Sequence, residues 1–116
     1  MIQTIQSYRF GRMKVDGTLY RQDLKIIRGV VADRWWRSRG HYLSKADLED
    51  ILAAAPRRLI VGTGAYGAMQ ISPTLAQEVA DHGIQLIAKP TAEAMTAFNA
   101  HYSRYPDTAG AFHLSC

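Results

Sequence analysis

The spacing of apolar residues changes near Gly40, and this change limits the possible folds more than any other feature of the chain. Before it, short runs rich in β-branched and aromatic residues are separated by turn residues such as Asp16-Gly17, as in antiparallel hairpins. After it, stretches with helical spacing alternate with short apolar runs. The sequence therefore predicts antiparallel strands followed by a β-α-β-α-β succession.

Capping residues and apolar spacing place the individual elements. Strands are predicted at 5–10, 13–15, 24–27, 29–36, 58–62, 84–88 and 111–116. Helices are predicted at 44–55, at 72–83 and from Thr91, the last with Thr91 as its N-cap. We expect one α/β domain over residues 1–116, compact and three-layered. Helices would pack on a mixed central β-sheet, with an additional N-terminal antiparallel β layer.

Composition restricts the class of protein. A formal charge of +4 in 116 residues, with arginines in short separate groups, disfavours a nucleic-acid binder. No apolar run is long enough to span a bilayer, so membrane insertion is not expected. Cys116 is the only cysteine, and the first residues lack the pattern of a secretory signal. These observations predict a cytoplasmic protein.

The densest group of aromatic and cationic side chains is Trp35-Trp36-Arg37-Ser38-Arg39-Gly40-His41. Trp and Arg are the residues that dominate protein–protein contacts. Neighbours on a strand point to opposite faces, so one tryptophan should enter the core and the other should face outward. We expect partner binding by Trp35, Trp36, Arg37 and Arg39.

A glycine turn follows the apolar run before Gly62 and forms a G-x-G-x-x-G pattern at 62–67. The next predicted helix starts too late for a dinucleotide site, and the following strand ends at Lys89 rather than at an acidic residue. If the two strands are parallel, however, their ends meet at one sheet edge, where a small anion can bind. The predicted ligand-binding residues are Gly62, Thr63, Gly64, Lys89, Thr91 and His41.

No catalytic or metal-binding set emerges from the remaining residues. His113 and Cys116 would point to opposite faces of a strand, which disfavours a Cys/His pair. Four scattered histidines and one cysteine do not have the spacing of a zinc site. We therefore assign no catalytic residue, no metal and no cofactor.

Several short motifs occur in a recognisable order along nearly the whole chain. They are Tyr8-Arg9-Phe10-Gly11, Asp16-Gly17 with Tyr20, Trp35-Trp36-Arg37 with Gly40-His41, Gly62-Thr63-Gly64, Thr91-Ala92-Glu93-Ala94, Phe98-Asn99 and His113-Leu114-Ser115-Cys116. This ordered set resembles a family of small α/β proteins. The family includes the mitochondrial complex I (NADH dehydrogenase) assembly factor three and a cytosolic adipogenesis-associated protein. The resemblance implies a three-layer fold on a mixed sheet, without catalytic residues to carry over.

Two functions follow as hypotheses. The resemblance implies a non-catalytic interaction or assembly-factor module that binds a protein partner, such as subunits of a membrane complex. The same contact surface could instead form a homo-oligomer. The alternative is a small-anion or nucleotide-type ligand binder, or an enzyme, with its pocket at the Gly62-Thr63-Gly64 turn.

Overall fold

The computed structural model of the protein describes residues 4–37 and 39–116. Its strands are β1 (Ile5–Arg9), β2 (Arg12–Val15), β3 (Thr18–Tyr20), β4 (Leu24–Ile27), β5 (Val30–Ala32), β6 (Tyr42–Leu43), β7 (Arg58–Thr63), β8 (Gln70–Ile71), β9 (Gln85–Lys89) and β10 (Thr108–His113). Its helical segments are a 3-10 turn at Lys45–Leu48, α1 (Glu49–Ala54), α2 (Leu75–Asp81) and α3 (Thr91–Arg104). The α/β class predicted from the sequence is confirmed.

The central sheet is five-stranded and mixed, with the order β5-β4-β10-β7-β9. Strand β7 pairs in parallel with both β9 and β10, whereas β4 pairs antiparallel with β10 and with β5. Every residue of β10 and nearly all of β7 are buried, as in parallel strands covered on both faces. The two halves of the sequence therefore share one sheet, because β4 and β5 come from the antiparallel half.

The two faces of this sheet carry separate apolar clusters. In β7, Leu59 and Val61 face one cluster and Ile60 faces the other, because successive side chains of a strand alternate. The first cluster includes residues of α1 and α2. The second includes residues of α3 and of the small sheet β1-β2-β3. Three layers result, and the N-terminal antiparallel sheet lies on the same side as α3.

Side-chain amide hydrogen bonds fasten the N-terminal sheet to α3. The backbone N–H of Ile5 donates to Asn99 Oδ1 at 2.9 Å, and Asn99 Nδ2 donates to the Ile5 carbonyl at 2.8 Å. The predicted hairpin turn joins β2 to β3, with φ of 47° at Asp16 and 85° at Gly17. Such angles suit a tight hairpin turn, and glycine adopts them without strain.

Several predicted boundaries were wrong. The strand expected at 29–36 ends at Ala32, because Arg34 takes a left-handed φ of 57° and the chain leaves the sheet. The helix expected from 72 begins at Leu75. Thr91 is the first residue of α3 rather than its N-cap, a position held by Pro90, and its hydroxyl bonds elsewhere. The last strand begins at Thr108, three residues earlier than expected.

Across the ranges 4–37 and 39–116, no helix combines the length and the apolar character needed to cross a membrane.

Replacing Phe98 with alanine should lower the free energy of unfolding by about 3–5 kcal/mol. Phe98 is fully buried and contacts the rings of Tyr102 and Phe112, so its removal leaves a cavity between α3 and the sheet. The matched control is Phe10→Ala, since Phe10 is mostly exposed and its loss should cost less than about 1 kcal/mol. Urea unfolding followed by circular dichroism measures both, and equal costs would contradict the packing described.

Candidate functional site

The carboxyl ends of three parallel strands meet at one edge of the central sheet. Gly62 of β7 lies opposite Lys89 of β9, and Thr63 lies opposite His113 of β10. Such an edge is where open α/β sheets commonly bind ligands. The register therefore brings the predicted glycine turn next to the end of β9 and also next to His113.

The chain itself fills the glycine turn. The Gly64 N–H donates to Thr91 Oγ1 at 2.9 Å, and that hydroxyl donates to the His113 carbonyl at 2.6 Å. A Cβ at Gly62 would lie 2.8 Å from the same Thr91 oxygen. At Gly64 the φ is +107°, and a Cβ would lie 2.5 Å from the backbone of Cys116. The two glycines thus allow segments of the protein to pack closely.

The other three predicted ligand-binding residues lie in different surroundings. Lys89 is exposed and lines a groove along α3 with Glu93 and Thr96. Thr63 is buried. His41 is exposed, and its ring meets the His113 ring edge-on at 5.4 Å between centroids. This ring contact links His41 to the cluster described next.

Asp23, Arg37 and His113 form a buried polar cluster beside this edge. Asp23 Oδ2 accepts hydrogen bonds from Arg37 Nη2 at 2.7 Å and from His113 Nδ1 at 2.8 Å. Asp23 Oδ1 accepts from the backbone N–H of Leu114 at 2.7 Å. The Arg37 side chain is 4% exposed and that of His113 is 6% exposed, so solvent screens the Asp23–Arg37 ion pair only weakly.

Local backbone geometry brings the three residues together. Asp23 directly precedes β4, and its carbonyl accepts the Trp35 N–H at 2.8 Å, which holds segment 33–37 against that strand. Arg37 Nε donates to the Gly40 carbonyl at 2.9 Å. The guanidinium also lies 4.7 Å from the centre of the Trp35 ring, within range of a cation–π interaction.

The cluster holds Asp23 in its ionised form. Burial opposes the charge, but hydrogen bonds from His113, from the Leu114 N–H and from Arg37 outweigh it and lower the pKa of Asp23 below its ordinary value. The negative charge of Asp23 also affects the pKa of Tyr8. The pKa of Tyr8 is raised, first by burial and then by Asp23 and Tyr66.

His113 Nδ1 lies within hydrogen-bond distance of two groups, Asp23 Oδ2 at 2.8 Å and Arg37 Nη2 at 3.0 Å. A carboxylate only accepts hydrogen bonds, so the bond to Asp23 is made by the tautomer with hydrogen on Nδ1. A positioned Asp–His pair is also the orienting half of a Ser-His-Asp triad. Ser115 lines the same cavity, but His113 Nε2 has no hydrogen-bond partner among residues 4–37 and 39–116. Within the described part of the chain, no nucleophile is therefore hydrogen-bonded to His113 Nε2.

A cavity of about 260 Å³ opens beside the cluster. Its lining residues are Gln22, Asp23, Trp35, Trp36, Arg37, Gly40, His113 and Ser115. Three of them carry buried polar atoms without a partner in the described part of the chain: Trp35 Nε1, Arg37 Nη1 and His113 Nε2. A buried polar atom without a hydrogen-bond partner lowers the stability of the fold, so such atoms are rare in proteins. Here three of them belong to residues that line one cavity.

Exposed aromatic side chains flank the same region. Trp36 is 78% exposed at the cavity. Phe10 and Tyr66 are exposed as well, and their ring centroids lie 6.2 Å apart. Tyr66 belongs to the turn whose Ala65 N–H donates to the carbonyl of Ser115, another residue of the cavity wall. Exposed Arg39 lies over the Tyr42 ring at 5.0 Å.

The structure divides the predicted partner-binding residues into two pairs. Trp36 and Arg39 are exposed, whereas Trp35 and the Arg37 side chain are buried. Ser38, between them, lies outside the described residues. No spacing in the sequence points to Asp23, and His113 enters the predictions only beside Cys116 and in the His113-Leu114-Ser115-Cys116 motif. The Asp23–Arg37 and Asp23–His113 pairs span long stretches of sequence, so no local spacing connects them.

Comparisons with known proteins agree with this fold. Residues 5–113 match the model of a family described as Protein of unknown function (DUF498/DUF598). The conserved hypothetical protein PH1505 from Pyrococcus horikoshii OT3 is 27% identical, with a TM-score of 0.83 over 97% of this chain and 99% of that one. A Bordetella pertussis protein described as a Mth938-like domain is 18% identical, with a TM-score of 0.71 over 97% of this chain and 85% of that one.

A third similar structure is described as an outer membrane protein from Bartonella henselae. It is 16% identical, with a TM-score of 0.81, and the alignment covers 100% of both chains. At this identity the likeness concerns the fold alone. Together the comparisons confirm the family resemblance inferred from the ordered motifs.

Thr91→Val should lower the free energy of unfolding by about 2–4 kcal/mol, because it leaves the Gly64 N–H and the His113 carbonyl without their buried partner. Valine keeps the shape of threonine, so the change isolates the hydroxyl. Thr96→Val is the control, since that hydroxyl is exposed and makes only a 3.5 Å contact within α3. Urea unfolding measures both variants, and a neutral Thr91→Val would refute the structural role.

Asp23→Asn should lower the free energy of unfolding at neutral pH by about 3 kcal/mol, because Arg37 and His113 lose a buried anionic partner. The lowered pKa of Asp23 means that the wild type loses this stabilisation as pH falls from about 5 through the folded-state pKa. The variant should lack that part of the acid sensitivity.

Urea unfolding at a series of pH values tests this pH dependence. Asp33→Asn, which changes an exposed carboxylate, should stay within about 0.5 kcal/mol of the wild type at neutral pH. Parallel curves for wild type and Asp23→Asn across the acid range would contradict the ionised cluster.

Proposed function

The chain belongs to the DUF498/DUF598 family of proteins of unknown function, and we propose that it works as a non-catalytic interaction module. One observation carries the proposal. Trp36 is 78% exposed, and the segment that carries it is held to the rest of the protein by buried Trp35 and by the Arg37–Asp23 ion pair. A large exposed aromatic side chain on a segment that is already held in place is typical of a hot-spot residue in a protein–protein interface.

The surroundings of Trp36 support a protein partner. Exposed Arg39 follows on the same segment, and tryptophan and arginine are the residue types most enriched at interface hot spots. Phe10 and Tyr66 add exposed aromatic area near Ser115. The Asp23–His113 pair, in contrast, has no nucleophile bonded to it among the described residues, which favours binding over catalysis.

The partner that we propose is a protein, with subunits of a membrane complex as the first candidates because of the family resemblance. The site of action that we propose is the cytoplasm. A single cysteine, which cannot form an internal disulfide, is compatible with a reducing compartment. A second copy of the chain is the competing occupant of the Trp36 surface, and the experiment below separates the two.

Trp36→Ala should weaken partner capture at least about tenfold, because the loss of an interface anchor costs about 2 kcal/mol or more. The tagged protein is crosslinked mildly at its native level and recovered from soluble and membrane fractions. Arg39→Glu should reduce recovery as well. Neither side chain is part of the buried core, so both variants should keep the wild-type circular dichroism spectrum.

Tyr105→Ala is the matched control. Tyr105 is an exposed aromatic residue next to Arg58, at the opposite edge of the sheet, so its variant should recover the partner normally. Partners recovered equally by wild type and Trp36→Ala would refute the assigned surface. The alternative result is that only the chain itself is recovered and that sedimentation shows a concentration-dependent dimer, which Trp36→Ala abolishes. In that case the Trp36 surface binds a second copy of the chain and not another protein.

A further inference from the structure

We propose that the cavity beside Asp23, Arg37 and His113 binds the carboxylate group of a small monoanionic acid. The inference does not rest on partner binding. It rests on three nearly buried residues, Trp35, Arg37 and His113, that line one cavity and each keep a polar atom unpaired within the described residues. Buried polar groups of a folded protein are normally satisfied, so a set of three unsatisfied ones points to a ligand.

The unpaired atoms define the chemistry of the ligand. The Trp35 indole N–H can only donate a hydrogen bond, and so can Arg37 Nη1. The third unpaired atom is His113 Nε2. Two obligatory donors, one of them cationic, call for an acceptor that carries negative charge.

Asp23 also lines the cavity, and its charge limits the ligand to one negative charge. Both carboxylate oxygens are already engaged: Oδ2 by Arg37 and His113, and Oδ1 by the Leu114 N–H. The formal charges of Asp23 and Arg37 cancel each other. A monoanion therefore leaves less uncompensated buried charge than a dianion such as phosphate.

The size and walls of the cavity complete the description. A volume of about 260 Å³ lies below the range of about 300–1,000 Å³ typical of drug-sized ligands, so only a small group fits. The indole rings of Trp35 and Trp36 offer apolar surface beside the donors. A carboxylate with a short apolar body, as in propionate, matches both features.

The test titrates the folded protein with propionate and follows the two tryptophan indole N–H signals by NMR. Propionamide is the neutral isostere, and sodium chloride at equal ionic strength is the blank. The Trp35 signal, identified by its absence in Trp35→Phe, should move saturably with propionate. Propionamide should bind at least about tenfold more weakly, because hydrogen bonds to charged groups are the stronger ones.

Trp35→Phe keeps an aromatic ring and removes only the indole donor, so it should raise the Kd for propionate about tenfold or more. Calorimetry or the His113 ring signals provide the readout for this variant. Tyr105→Phe, a change outside the cavity, should leave the Kd unchanged. If Trp35→Phe does not fold, Trp36→Phe leaves Trp35 as the source of the one remaining indole signal, and an unresponsive Trp35 signal in the wild-type titration would overturn the proposal.

The source of the carboxylate is decided by competition. If propionate, but not propionamide, releases a partner captured by the Trp36 surface, the group belongs to an acidic side chain or C-terminus of that partner. If propionate binds and the partner stays, the ligand is a free small acid. Equal binding of propionate and propionamide, or an unchanged Kd in Trp35→Phe, would refute the site while leaving capture through Trp36 intact.

Discussion

The hydrogen bonds to the largely buried carboxylate of Asp23 are the interactions on which the arrangement of the functional region depends. The carboxylate accepts hydrogen bonds from a loop arginine, from a strand histidine and from the backbone after that strand. A charge in this position is tolerated only with all of its partners present, because removing one leaves an unpaired ion in a poorly solvated place. The segment that carries Arg37 and the end of β10 are therefore held in a single relative position.

His113 joins this cluster to the edge of the parallel strands. Its ring bonds to Asp23, while its backbone carbonyl accepts the Thr91 hydroxyl that also caps the Gly64 N–H. The glycine turn and the cavity are two sides of one hydrogen-bonded network. On the glycine side every named group has a partner, whereas three groups on the cavity side have none in the described ranges. Because of that difference we propose the cavity, and not the glycine turn, as the ligand site.

Trp35 and Trp36 show how this network supports an exposed surface. One ring is buried under the cations of Arg37 and Lys25, and its neighbour stands in water. The alternation expected for a strand holds at this pair although the regular strand has already ended at Ala32. The hydrogen bond from the Trp35 N–H to the Asp23 carbonyl holds this segment beside β4 after the strand has ended.

The sequence by itself determined the class of fold, the Asp16-Gly17 hairpin turn and the order of the longer strands and helices, but not the short strands β3, β6 and β8. These follow from periodicity and turn chemistry, which act over a few neighbouring residues. It also placed Gly62 and Lys89 at a common edge, since parallel strands end together.

Only the tertiary structure decided that Arg37 turns inward, that Thr91 bonds across the edge, and that Asp23 and His113 meet. Each of these contacts joins strands or loops that are distant in the chain and adjacent in the sheet. Such contacts produce no periodic pattern in the sequence. Their strength depends on burial and on partners that come together only when the layers pack.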